Sequence, residues 1–217
     1  MSSYGEITNS YTTGSVSGNV YVGGVAGSIG GESKLTNIYS TGSVTAENNI
    51  VGGLFGQFSG SNITLENSYS LSSVTSKASS NSNAGGLVGY ATGSGVKILN
   101  SYAIGAVKGN GYTGGLVGQT SNNASYSVDA TGSWWNKVST GQNLATDAST
   151  YISNYTTKST TDTVVSNLPF TSKTDTSSVH SDILKNKIFT EEEAAAAGFV
   201  LIHTVDDFKN FLAAGGA

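Results

Sequence analysis

The sequence predicts an all-β protein: a right-handed parallel β-solenoid of four to five coils, followed by a small α+β tail. Two observations carry this. An eight-residue phrase recurs at a period that stays near thirty residues, and a glycine-paired second phrase follows each copy of the first. A third observation fixes the element type. Apolar residues alternate with polar ones inside each phrase, and glycine interrupts every run long enough for a helix.

The first phrase is Asn9-Ser10-Tyr11-Thr12-Thr13-Gly14-Ser15-Val16. It returns from Asn37 through Tyr39 to Val44, from Asn67 through Tyr69 to Val74, and from Asn100 through Tyr102 to Val107. Ser133-Trp134 is a degenerate fifth copy. The Asn-to-Asn steps are 28, 30 and 33 residues, while Tyr-to-Val is always five. The second phrase places glycines at Gly23, Gly24 and Gly27, then Gly52, Gly53 and Gly56, then Gly85, Gly86 and Gly89, then Gly114, Gly115 and Gly118.

Strand parity puts Leu65, Asn67, Tyr69 and Leu71 on one face, as it does Ile7, Asn9 and Tyr11. Each first phrase is therefore expected to send an apolar residue, an amide and an aromatic inward, with Tyr11, Tyr39, Tyr69, Tyr102 and Trp134 in one column. The chain then turns at Gly14, Gly42, Ser72 or Gly105, and the valines lie at the opposite parity. One coil has too little apolar area for a core, but copies stacked about 4.8 Å apart align like residues into ladders. Between Val and Gly-Gly the linkers hold 6, 7, 10 and 6 residues. Length variation is thus confined to corners, and loops 76–84 and 119–130 are expected to be exposed. Their candidate ligand contacts are Ser76, Lys77, Asn81, Asn83, Asn122, Asn123 and Tyr126.

Composition narrows function. Charged residues make up 11%, against roughly a quarter in an average soluble domain, and none of the 10 basic residues is arginine. No basic stripe exists to neutralise phosphates, so nucleic acid is not an expected partner. No run is apolar enough to insert in a membrane, and with no cysteine there is neither a disulfide frame nor a thiolate metal site. Met1-Ser2-Ser3 runs straight into a repeat, so a secretion signal is expected outside this segment, and Tyr4 opens mid-repeat, which suggests end-to-end self-association.

No residue set reads as catalytic, cofactor-binding or metal-binding, and the chain is expected not to be an enzyme. Glu6, Glu32, Glu47, Glu66 and Asp129 are the acids of the repeat region, and none shares a repeat position with another. A glycosidase or lyase of this shape needs paired carboxylates. His180 and His203 stand alone, and the clusters at Glu191 to Glu193 and Asp206-Asp207 read as helix caps. A Thr13 and Thr41 ladder gives way to Leu71 and Ile104 after two rungs. The Gly-Gly-x-x-Gly spacing lacks the helix and Lys of a phosphate cradle. The sequon asparagines Asn62, Asn123 and Asn154 read as surface polar residues.

The Gly-Gly-Leu-Val-Gly phrase with Asn-Ser-Tyr-x-x-Gly-x-Val resembles the GLUG repeat of large bacterial surface and secreted proteins, over residues 7–136. Gly132-Ser133-Trp134-Trp135-Asn136 with Thr140-Gly141-Gln142 resembles the ending of such arrays. The first copy departs from the pattern at Val25-Ala26 and the third at Ser72-Ser73. The resemblance implies a β-helical adhesin region displayed outside the cell, meeting a protein or glycan of a host or neighbouring cell. A carbohydrate-active β-helix and an accessory repeat domain of a secreted protease are the alternatives. The expected organisation is a solenoid over 1–136, a Ser/Thr-rich irregular segment over 137–186, and a helix-strand-helix unit over 187–217, with helices at 190–197 and 208–214.

Overall fold

The computed structural model describes residues 4–121, 126–146, 152–153 and 156–158. The expected helix-strand-helix unit lies outside them. Coil one is β1 (Tyr4–Gly18), β2 (Val22–Gly23) and β3 (Ala26–Ile29). Coil two is β4 (Glu32–Ala46), β5 (Ile50–Gly52) and β6 (Phe55–Phe58). In coil three the long strand divides into β7 (Thr64–Glu66), β8 (Tyr69–Ser70) and β9 (Ser73–Ser76), before β10 (Asn83–Gly85) and β11 (Val88–Ala91). Coil four repeats that division as β12 (Lys97–Leu99), β13 (Tyr102–Ala103), β14 (Val107–Lys108), β15 (Tyr112–Gly114) and β16 (Val117–Thr120).

Every pairing is parallel and joins equivalent positions of successive coils. Three sheets result: a long one led by β1 and β4, a second of β2, β5, β10 and β15, and a third of β3, β6, β11 and β16. The repeat sets the register: Tyr11 stands opposite Tyr39, Tyr39 opposite Tyr69, and Tyr69 opposite Tyr102. Parallel stacked coils are the fold that the repeats predict.

The solenoid continues past the expected boundary at 136. After β17 (Val128–Asp129) and β18 (Trp134–Asn136) comes a short helix, α1 (Lys137–Thr140). Strands β19 (Ile152–Ser153) and β20 (Thr156–Lys158) then add a further rung on β17 and β18. Leu144 and Ala145 take up the role of the second phrase without its glycines: their carbonyls accept from Gly115, Leu116 and Val117. The Ser/Thr-rich composition concealed this rung because backbone pairing to a formed template needs no apolar pattern of its own.

The interior has two apolar lobes. Leu35, Leu54, Phe55, Phe58, Leu65 and Ile98 belong to the larger, between the start of the long sheet and the third sheet. Val44, Val51, Val74, Ala84 and Val107 belong to the smaller, against the second sheet. Between the lobes the walls nearly touch. A Cβ on Gly24 would sit 3.0 Å from the Ser40 Cβ, and one on Gly53 would overlap the Ser70 side chain. Ser40 Oγ bridges this waist by donating to the Gly53 carbonyl at 2.7 Å. The glycine pairs are needed because no side chain fits between the walls.

Two expectations about facing are corrected. Asn9, Asn37, Asn67 and Asn100 hold φ between 48° and 57°, the left-handed region, and so form a corner rather than an inward rung. Asn37 Nδ2 donates to Asn9 Oδ1 at 3.0 Å on the exposed side. The left-handed residue also resets strand parity, so that Leu35 and Ile38, three apart, are both buried. From there the inward residues are Ile38, Ser40, Val44 and Ala46, and the tyrosines fall on the opposite face. Parity therefore changes at the asparagine, whereas Gly42 at φ 111° bends the strand without changing it.

Candidate interaction surface

The tyrosines form a column of their own outside both lobes. Tyr11, Tyr39, Tyr69, Tyr102 and Trp134 stack with centroids 4.7–5.0 Å apart and planes within 7°. Leu71 and Ile104 pack beside them where the Thr ladder stops. Exposure falls steeply along the column, from 57% at Tyr11 to 2% at Tyr69 and 1% at Tyr102. Stacking uses both faces of each internal ring, which leaves Tyr11 as the ring with an open face. Burial, with the neighbouring Tyr39 adding to it, raises the Tyr69 pKa well above 10.0. Tyr39 is raised in the same way by burial and by Tyr11.

Behind the corners at Asn37, Asn67 and Asn100 sits a buried hydroxyl of the next coil that the repeat pattern alone does not reveal. The corner removes a ladder carbonyl from the next N–H, and serine of the following coil replaces it. Ile38 N–H donates to Ser68 Oγ, Ser68 N–H to Ser101 Oγ, and Ser101 N–H to Ser133 Oγ, at 3.0–3.1 Å. Each hydroxyl passes its own proton to a carbonyl: Ser68 to Glu66, Ser101 to Leu99, Ser133 to Ile98. The phrase Asn-Ser-Tyr thus encodes a corner, its hydrogen-bond repair and an external stack.

The corner between β9 and β10 carries the longest of the four linkers between Val and Gly-Gly. Of its expected contacts, Lys77 and Asn81 are exposed, and Asn81 has φ 53°. Ser76 and Asn83 are corrected: both are 5% exposed. Ser76 Oγ lies 3.2 and 3.1 Å from the Asn48 and Asn49 carbonyls, and Asn83 is a ladder residue opposite Ile50 and Tyr112. The freely presented segment is therefore 77–81. Below it, Lys77 Nζ meets Glu47 Oε1 at 2.7 Å with both side chains more than half exposed. Such a pair contributes only about 0–1 kcal/mol. Above it, Asn110 Nδ2 donates to the Ala78 carbonyl at 3.2 Å.

This corner gathers residues that the sequence did not single out. Lys108, Asn110 and Tyr112 are exposed on the next coil, Tyr112 at 38%. No pattern marks them, since the position of Tyr112 is filled by Ile50 and Asn83 in the coils beneath. The other variable loop follows β16 and so lies at a different corner. There Tyr126 is half-buried, and Asn122 and Asn123 are outside the described residues.

The acids are dispersed. Glu32 Oε1 accepts from Asn62 at 3.3 Å, Glu47 pairs with Lys77, and Asp129 Oδ1 accepts from the Thr131 N–H and hydroxyl. Among the described residues no three His, Cys, Asp or Glu side chains cluster as a metal site, and no helix is long and apolar enough to cross a membrane.

These features define the class of protein, a repeat-built parallel β-solenoid with a packed two-lobed interior and a polar outer surface. No protein-family model, no curated protein and no solved structure matches the chain.

Proposed function

We propose that this chain is a segment of a bacterial adhesin of the GLUG-repeat kind, working outside the cell as a rigid stalk and display module rather than as an enzyme. The observation that carries the reading is the contrast between the invariant rungs and the enlarged corner between β9 and β10. Rungs that repeat in register make the rod stiff, and segment 77–81 adds exposed polar chain to it without disturbing the stack. Exposed amides and hydroxyls beside Tyr112 suit shallow contact with a glycan or a protein surface, where aromatic faces and hydrogen-bonding side chains combine. The dispersed acids, with Glu32, Glu47 and Asp129 each engaged with a different polar neighbour, also favour display over hydrolysis.

The test is a binding screen of the chain against glycans and host-matrix proteins, run beside a variant lacking residues 78–80. Binding by the intact chain that the deletion removes supports an adhesive corner. Binding that survives the deletion moves contact to another surface, and a chain that binds nothing in the screen overturns the adhesive half of the reading.

A further inference from the structure

Going beyond that reading, we propose that Asn110 is a site of spontaneous chemical modification, converted through a cyclic imide with Gly111 to aspartate and isoaspartate, and that the conversion unclasps segment 77–81. Asn110 is the one asparagine of the chain that glycine follows. A side-chain amide is attacked most readily by the next backbone nitrogen when no Cβ crowds the approach. Packing makes that glycine obligatory: a Cβ on Gly111 would run into the backbone nitrogen and carbonyl of Ser82, a buried residue of the coil beneath. Asn110 is exposed, so water reaches its amide, and it stands with Gly111 between β14 and β15, outside both strands. At the same corner Asn48, Asn81 and Asn83 precede Asn49, Ser82 and Ala84, whose side chains hinder the attack. The fold therefore places its one reactive pair beside the enlarged linker.

The chemistry needs only water. Hydroxide takes the Gly111 N–H proton, and the freed nitrogen attacks Asn110 Cγ. The new N–Cγ bond forms as the Cγ–Nδ2 bond breaks, and ammonia leaves with a proton drawn back from water. A second water opens the imide at either carbonyl, giving aspartate or an isoaspartate whose backbone is longer by a methylene. The amide that departs is the one that holds the linker, since Asn110 Nδ2 donates to the Ala78 carbonyl at 3.2 Å. A carboxylate in its place has no proton to give and sets negative charge against that carbonyl oxygen. Segment 77–81 then keeps only the Lys77–Glu47 pair described above, which is exposed and weak. In the isoaspartate the added methylene also strains two bonds to Ser82, from Asn110 N–H to its hydroxyl and from Tyr112 N–H to its carbonyl. Because ammonia is lost the change runs one way, so the corner loosens as the molecule ages.

The full chain, held at mildly alkaline pH and sampled by peptide mapping with fragment sequencing, tests the site. Asn110 is expected to convert several-fold faster than Asn48, Asn81 or Asn83, into two products that each carry OH in place of NH2. One of them is expected to accept a methyl group from isoaspartyl methyltransferase. Asn110→Gln, which would have to close a larger ring, is expected to stay unchanged. Release of the linker is read by a lysine-specific protease. Cleavage after Lys77 is expected to be several-fold faster in Asn110→Asp than in the parent, while cleavage after Lys97, within β12, keeps the parent rate. An Asn110 that outlasts the other three overturns the site. The release is overturned if Asn110→Asp is cut after Lys77 no faster than the parent, if Lys97 is cut faster to the same degree, or if aged Asn110→Gln loosens as the aged parent does. No ligand enters these measurements, so the display reading stands or falls separately.

Discussion

A single dihedral angle separates the residues of the corner from those of the ladder. Asparagine tolerates the left-handed region that most side chains avoid at about 1–2 kcal/mol. Asn67→Ala is accordingly expected to lower stability by about that amount and Asn67→Gly to restore most of it, as urea titration of the two variants would show. The serine next in line works through what it receives. Ser101→Ala leaves the Ser68 N–H buried without its acceptor, a loss of about 1–3 kcal/mol on the same assay. The waist sets a third contrast. Gly53→Ala drives a Cβ into the Gly86 carbonyl and the Ser70 side chain, at about 1–3 kcal/mol or more, while Gly30→Ala meets Ser59 Oγ at 3.7 Å and is expected to stay within about 0.5 kcal/mol of the parent.

Elements in this protein are columns that run across coils. Tyr69 sits mid-column between two rings and is all but enclosed, so its neutral phenol belongs to the folded state. Its pKa is raised on folding, and the same holds for Tyr39. The sign follows: the stabilisation is whole below the unfolded value of 10.0 and is lost as pH climbs above it toward the folded value. Melting temperature is expected to hold level between pH 7 and 9 and to fall above 10; a flat profile through pH 11 would refute the column as a source of stability. The column also reinterprets the strand pattern. Alternation located the tyrosines on one face correctly, but the choice of which face depended on the corner at asparagine, and a lone dihedral leaves no trace in polarity.

For the whole molecule, stability is expected to be graded along the axis. Coils two and three are paired above and below, whereas among the described residues β1 is paired on one edge, so in dilute solution its amides should exchange faster than those of β6 and β11 by hydrogen exchange. The sequence alone determined the four repeat-built coils, their parallel register, the aromatic column and the corners that take insertions, because each of these follows the repeat, and a repeat survives translation from chain to stack. Tertiary structure alone decided the facing of Asn and Tyr, the two lobes with their glycine waist, the burial of Ser76 and Asn83, and the added rung of β19 and β20. Those depend on where opposite walls meet and on what a finished coil offers the next strand, and distances between walls are set by packing in three dimensions rather than by spacing along the chain.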